Sequence, residues 1–399
     1  MDRCDRTLWG RSDTLPDRSD LSAVAGNVRS VNEARKRRKA KQARRDAQRI
    51  RAREPETPDE TPLIDEVRRA LAGPPLELLG MVSMLIEATK PDPLAWLPSR
   101  PKRETVDLAR LLDSLVGVHV RETTALLAVL GELLDASDAQ QRCRREVAAR
   151  QDVMPPWIAD LADVDVYRAV RKTHVLGDGD EILIGAKLAT GDELTCAAYV
   201  DHALYSVVKD AFVIPDSIDT VVRVASEHNT DPDTTFVDMD LADARAWLDH
   251  GLAQDPLFTG QTDTWPGCRP LLHWLIRHLP TGGNKRESPD WDTESLEELC
   301  DAFFASERGA TFDRREHRRL LEGLLATGDP LRWSVPRIER LFRTDDYEGD
   351  VPLAVVLDAP ELLATFIPFA HARSGIRDEL TAEALAAIEE ITRKAASDN

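Results

Sequence analysis

Apolar positions along this chain change their spacing twice. Between Thr61 and Asp160 they recur every three to four residues, in "LIDEVRRALAG", "PLELLGMVSMLIEA", "VDLARLLDSLVGV", "ETTALLAVLGELLD" and "SDAQQRCRREVAAR". That period gives a helix one buried face. Thr61 followed by Pro62 predicts a capped start for the first helix, and the short connections suit an antiparallel bundle. "MPPWIADL" closes the region. Over 163–254 the pattern becomes short runs rich in β-branched residues, "VDVYRAVRKTHVL", "DEILIGAKLA" and "ELTCAAYVD", separated by "GDG" and "TGDE" turns. The second and third runs predict a hairpin. "LYSVVKDAFVI" fits a strand or a helix. "DSIDTVVRVASEH" reads as a helix opened by Pro215 and Asp216, "TTFVDM" as a short strand, and "LADARAWLDHGLA" as a helix capped by Asp240.

Beyond residue 264 helical spacing returns, in "WPGCRPLLHWLIRHL", "TESLEELCDAFFAS", "DRREHRRLLEGLL", "VPRIERLFR", "PELLATFIPFAHA" and "TAEALAAIEEITRKAA". "DPLRWS" reads as a helix start with Ser334 as cap and Pro336 in the first turn. The expected fold class is mixed and mainly α: a helical bundle over 61–160, a small central α+β domain with a β-hairpin over 163–254, and a helical domain over 264–399. No repeat of fixed period is visible, so a solenoid is a minor alternative. Residues 1–60 stand apart. The first 30 are polar and expected to be disordered. "SVNE" at 30–33 predicts a capping box opening a helix to about residue 53, and "EPETPDETP" a linker.

Charge sharpens that division. Residues 35–53, "RKRRKAKQARRDAQRIRAR", hold eleven Arg or Lys against one Asp, a net +10. Residues 1–34 carry −1, so the total of −19 leaves −28 on residues 54–399. The predicted basic helix has almost no apolar face with which to pack on a core. Arg35, Lys36, Arg37, Arg38, Lys39, Lys41, Arg44 and Arg45 are its candidates for phosphate contact. The segment lacks aromatics, so it would neither stack bases nor read sequence. Docking on an acidic surface of its own or a second chain is the competing use.

Composition excludes several classes. Forty-two per cent apolar residues indicate globular material. The first 20 residues contain no apolar h-region, and no window approaches the roughly 18 apolar residues of a membrane span. A cytoplasmic location without membrane contact is therefore expected. Five single cysteines without a C-x-x-C pair argue against a zinc ribbon or a disulfide framework. The tryptophans at 247, 265, 274, 291 and 333 sit in or beside apolar helical patterns, where packing is the expected role.

Candidate chemistry is sparse. "YSVVKD" (205–210) contains both an S-x-x-K, Ser206 with Lys209, and a Y-x-x-x-K, Tyr205 with Lys209. The acylase partners S-D-N and K-T-G are missing, and so is the G-x-G-x-x-G of a dinucleotide fold. Both signatures read as chance. "YVDH" places Asp201 and His202 at a predicted strand end, with Asp210 and Asp216 following; such carboxylates suit Mg²⁺ and phosphodiester hydrolysis. Turn and cap roles account for them equally well. "GDGDE" lacks the remaining EF-hand ligands and reads as a hairpin turn. "TGGNKRES" (281–288) lacks P-loop spacing and reads as a connection. His273 and His278 fall on different sides of a helix. No pattern implies a cofactor or a resident metal.

"VYRAVRKTHVLGDGDEILIGAKL", "VVKDAFVIP", "TDTWPGCRPLLHWLIRHLP" and "GDPLRWS" resemble a group of conserved actinobacterial proteins, over about Glu146 to Phe342. No activity attaches to that group, so the resemblance implies none. It fits the Arg-rich usage and a cytoplasmic location. The expected function is thus a non-enzymatic interaction protein whose basic arm contacts nucleic acid or another acidic partner without sequence specificity. The alternatives are a divergent metal-dependent hydrolase at Asp201, His202 and Asp210, and a helical protein-binding scaffold. A deep pocket with converging carboxylates or histidines at the hairpin end of the α+β module is the discriminating feature.

Overall fold

The computed structural model describes residues 63–91, 105–135, 137–254, 262, 264–287, 291–343 and 351–397. The "SVNE" box, the basic arm and the linker before residue 63 lie outside them. The chain divides into two units, Met1–Leu63 and Ile64–Asn399, and apart from Leu63, the first residue of the first helix, the described elements belong to the second.

The N-terminal helical region of that unit comprises α1 (Leu63–Ala72), α2 (Pro75–Ala88), α3 (Leu108–Gly117), α4 (Arg121–Leu133), α5 (Asp138–Arg150) and the single turn α6 (Pro156–Ala159). Capping chemistry sets several starts: Asp107 accepts from Ala109 N and Arg110 N, and Ser137 from Gln140 N. Helix α4 is central, with Leu126, Leu127, Val129 and Leu130 all buried. Arg150, its side chain 4% exposed, ends α3 from outside by donating to the carbonyls of Leu115 and Val116, both at 3.0 Å. A guanidinium there satisfies carbonyls that lack intrahelical partners and meets the negative end of the dipole.

The centre is one antiparallel sheet of β1 (Asp165–His174), β2 (Gly179–Lys187), β3 (Glu193–Asp201), β4 (Val207–Ile214) and β5 (Thr234–Met239), in the order β4-β3-β2-β1-β5. The predicted β2–β3 hairpin forms, with Ile182 opposite Ala198 and Ile184 opposite Cys196. The ambiguous "LYSVVKDAFVI" becomes strand β4, because β3 offers an open edge that Val207 to Ile214 can pair with. Helix α7 (Ile218–His228) starts at Ser217 rather than at Asp216 and covers Val170, Leu183 and Ala197 with Ile218. Gly185 permits this approach: a Cβ there would meet Ile218 Cγ2 at 2.7 Å. Helix α8 (Leu241–Leu252), capped by Asp240 as predicted, packs on β1 and β4.

Helix α9 (Trp265–His278), which its sequence position groups with the C-terminal helices, packs on α2, α4 and β4. Its buried residues Trp265, Leu271, Leu272, Trp274, Leu275 and Ile276 take up more than one side, so neighbours must surround it. Ser83 Oγ donates to Gly267 O at 2.6 Å to fix the crossing. The remaining helices are α10 (Thr293–Phe304), α11 (Arg315–Leu325), α12 (Val335–Leu341), α13 (Leu353–Val356), α14 (Ala359–Ser374) and α15 (Asp378–Ser397). They close over Phe303, Phe304, Leu321, Trp333, Ile338 and Phe366, with Phe303 and Phe366 edge to face at 5.1 Å. Ser334 caps α12 as expected. Cys143, Cys196 and Cys300 are buried free thiols, and Cys268 is a half-buried one.

Candidate functional site: a charged cleft at the hairpin end

Three segments distant in sequence meet where β1 turns into β2. The turn itself needs a left-handed residue, and Gly177 supplies it at φ 69°. Arg332 Nη1 donates to Val175 O at 2.7 Å, tying the α11–α12 connection to the turn. His202 N and Ala203 N both donate to Asp178 O, at 2.8 and 3.3 Å, which brings in the β3–β4 connection. The third segment is "GGNKRE". A Cβ on Gly283 would lie 2.0 Å from Ala242 C, so only glycine lets this strand of chain rest on the first turn of α8. Asn284 N then donates to Asp243 Oδ1 at 2.6 Å, and the exposed Lys285 and half-buried Arg286 that follow line the cleft.

The cleft so formed measures about 1170 Å³. Arg171, Lys285, Arg286, Arg332, Arg337 and Arg340 line it, against the carboxylates of Asp178, Asp180, Asp233, Asp243, Glu287 and Asp329. Equal numbers of each sign make it far less acidic than the body of −28 around it. Several carboxylates are committed elsewhere. Asp233 takes Arg377 in a bidentate pair, Asp329 pairs with Arg332 at 3.2 Å, and Asp243 holds the Asn284 amide. Arg337 is structural: buried, stacked 3.8 Å from the Trp333 ring centre, and donating to Asp329 O and Arg332 O. Burial lowers its pKa to about 10, against the pull of Asp329 and Asp178.

Arg286 differs. It has no ion pair among the described residues. Burial lowers its pKa; Arg171 and Arg332 add to that, while Asp180 and Asp329 oppose it. A desolvated guanidinium without a paired carboxylate is held at a cost that a bound anion would offset. Asp178 leans the other way: burial raises its pKa despite Ser334, Arg340 and Arg337.

The inner wall carries a hydrogen-bonded line. Asp180, 3% exposed, places Oδ2 2.9 Å from His202 Nε2, and His202 Nδ1 lies 2.9 Å from Ser206 Oγ. Burial would raise the Asp180 pKa, but His202, Thr173 and Arg171 hold it below the ordinary carboxylate range. Its other oxygen, Oδ1, is buried without a partner at hydrogen-bonding geometry. Trp247 meets His202 edge-on at 6.0 Å and carries Arg171 at 5.4 Å from its centroid.

Of the candidate catalytic residues Asp201, His202 and Asp210, only His202 lines the cleft. Asp201 caps the next turn through Ala203 N at 3.0 Å and pairs with Lys209 at 3.2 Å. Asp210 accepts from Ala211 N and from Thr264 Oγ1 at 2.7 Å. These two carboxylates are spent on separate tasks and do not join His202 in a metal site. Lys209 pairs with Asp201, and Ser206 Oγ faces His202 rather than the lysine of the S-x-x-K pattern. Arg35 to Arg45 lie outside the described residues. His174, Asp231 and Asp233 do place ligand atoms within 4.8 Å of one another. Arg377 already occupies Asp233, and Asp231 closes its own turn through Thr234 Oγ1 and Asp233 N.

Sequence reasoning passed over Asp180, Arg286 and the pairing of His202 with Ser206. Two of these stand in segments taken for a hairpin turn and a connection. The available signal was four-residue spacing in "HALYS" beside a strand end. Among the described residues no helix is long and apolar enough to cross a membrane. Comparison with known proteins finds no matching family, curated protein or solved structure.

Proposed function

We propose that the chain binds a small phosphate-bearing organic molecule in the hairpin-end cleft. Arg286 is the observation that carries this: a guanidinium desolvated by burial and without an ion pair among the described residues, facing a cavity in which Arg171 and Arg332 repel it and Asp180 and Asp329 attract it. Arg suits phosphate because its planar fork donates in pairs. Lys285 and Arg340 line the same space. At about 1170 Å³ the cleft lies just above the usual range of small-molecule sites, roughly 300–1,000 Å³. A molecule of mononucleotide size therefore fits better than a free ion. Calorimetric titration with pyrophosphate and with mononucleotides at low salt tests this. Binding by the native protein that weakens at least tenfold in Arg286→Ala supports the proposal, and no heat with any of these ligands rejects it.

A second reading rests on the charge split of the sequence. The +10 of residues 35–53 supports contact with nucleic acid or another acidic partner. A salt titration of binding to random DNA and RNA, with and without residues 1–53, distinguishes the two. Equal binding by both forms removes the arm's role.

A further inference from the structure

Ser206 stands at the outer end of the Asp180–His202 line, and the polarity of that line follows from its chemistry. An ionised carboxylate only accepts, so Nε2 of a neutral His202 carries the proton that Asp180 receives. Nδ1 is then the bare nitrogen, and across 2.9 Å it takes the Ser206 hydroxyl as donor. A hydroxyl bonded to a base that a third group orients is the general arrangement of an activated nucleophile. The ring nitrogens are exchanged relative to the commonest triads, but the roles are the same.

Backbone geometry sets this serine apart a second time. Tyr205 and Ser206 are both left-handed, at φ 59° and 58°, without a glycine between them. Such pairs persist only where the surroundings fix them, and they concentrate at functional sites. Helix α8 provides the support. Gly251 leaves room for the Ser206 carbonyl, which a Cβ would meet at 2.6 Å, while Trp247, one turn earlier, holds the imidazole edge. Ser206 is half-buried beside Tyr205, which is 75% exposed. Ser206 is thus less buried than its base and carboxylate, whose side chains are 4% and 3% exposed.

We infer that Ser206 is a nucleophile activated by His202 and Asp180, acting on activated acyl compounds such as esters and thioesters. In the first step Ser206 Oγ bonds to the acyl carbon as its proton passes to His202 Nδ1. The alcohol or thiol leaves as the acyl–oxygen or acyl–sulfur bond breaks, and takes that proton. Water then attacks the acyl-serine, gives its proton to the same nitrogen, and releases the acid as Ser206 recovers its hydrogen. Asp180 touches no substrate; it positions the ring and stabilises the transient imidazolium.

The experiment treats the full chain with a fluorophosphonate probe and maps the adduct by mass spectrometry. The phosphorus–oxygen bond would form at Ser206 with loss of fluoride. Expected are an adduct on Ser206 formed at least tenfold faster than in heat-denatured protein, none at that site in Ser206→Ala, and at least tenfold slowing in Asp180→Asn. Release of p-nitrophenol from p-nitrophenyl acetate, compared between native protein and Ser206→Ala, gives an independent readout that needs no buried substitution. No adduct, an adduct elsewhere only, or labelling of Ser206 at the denatured rate would overturn the inference. So would ester cleavage unchanged in Ser206→Ala.

Discussion

Trp333 donates its backbone N–H to His371 Nε2 at 3.1 Å, so a buried imidazole satisfies an amide just before the cap of α12. With Nε2 accepting, the proton sits on Nδ1, which faces Thr381 Oγ1 at 2.9 Å. His371 is 1% exposed, and burial lowers its pKa to about 4.

Acid should therefore destabilise the C-terminal helices before its carboxylates titrate fully. The unfolded histidine takes a proton near pH 6.5, the folded one only near 4. Between these values the unfolded state binds more protons, so stability is complete above about pH 6.5 and declines as pH falls toward 4. The loss reaches about 3 kcal/mol for a shift of this size. His273, also lowered to about 4 by burial and by Lys90, acts in the same direction. Urea unfolding at pH 7, 5.5 and 4.5 would show the decline, and His371→Ala would flatten part of it. An unchanged slope in that variant would contradict the assignment.

Arg286→Ala is expected to separate ligand binding from folding. Removing a half-buried cation near Arg171 and Arg332 should leave the free protein as stable or more stable by up to about 1 kcal/mol. Urea unfolding without ligand checks this. A loss of 2 kcal/mol or more would mean that Arg286 is structural.

Gly283→Ala should damage both properties together. The added methyl falls on the Ala242 backbone, so the segment carrying Lys285 and Arg286 must lift from α8. A cost of about 1–3 kcal/mol is expected for such overpacking, with weakened nucleotide binding. Thermal melting with and without nucleotide measures the two effects in one series.

Phe366→Ala probes the C-terminal core. Its ring, fully buried, lies within 6.4 Å of Phe303, Phe369 and Trp333. Truncation should cost about 3–5 kcal/mol, whereas Phe369→Ala, at the margin of the cluster, should cost less. Equal costs would show that the cluster is not centred on Phe366.

Element types were largely legible because periodicity reports burial. The apolar spacing of "ETTALLAVLGELLD" and the short run "ELTCAAYVD", set off by turns, each led to the element observed. "LYSVVKDAFVI" was ambiguous because its identity depends on an edge presented by β3, a fact of tertiary structure. Partnership was equally hidden for α9, whose several apolar sides do not say which helices cover them. The site was the least visible part. Asp180 and His202 are 22 residues apart and meet only through strand register. Arg286 lies in a segment whose one legible cue, the double glycine, suggests freedom. In the folded chain Gly283 is instead the point of closest contact with α8.

Because residues 171–180, 284–287 and 325–340 each contribute one wall, the cleft exists only after long stretches of chain have found one another. A resident molecule would thus act as a late clasp. It would slow escape from the native state more than it hastened arrival there, and its presence would register first as resistance to proteolysis.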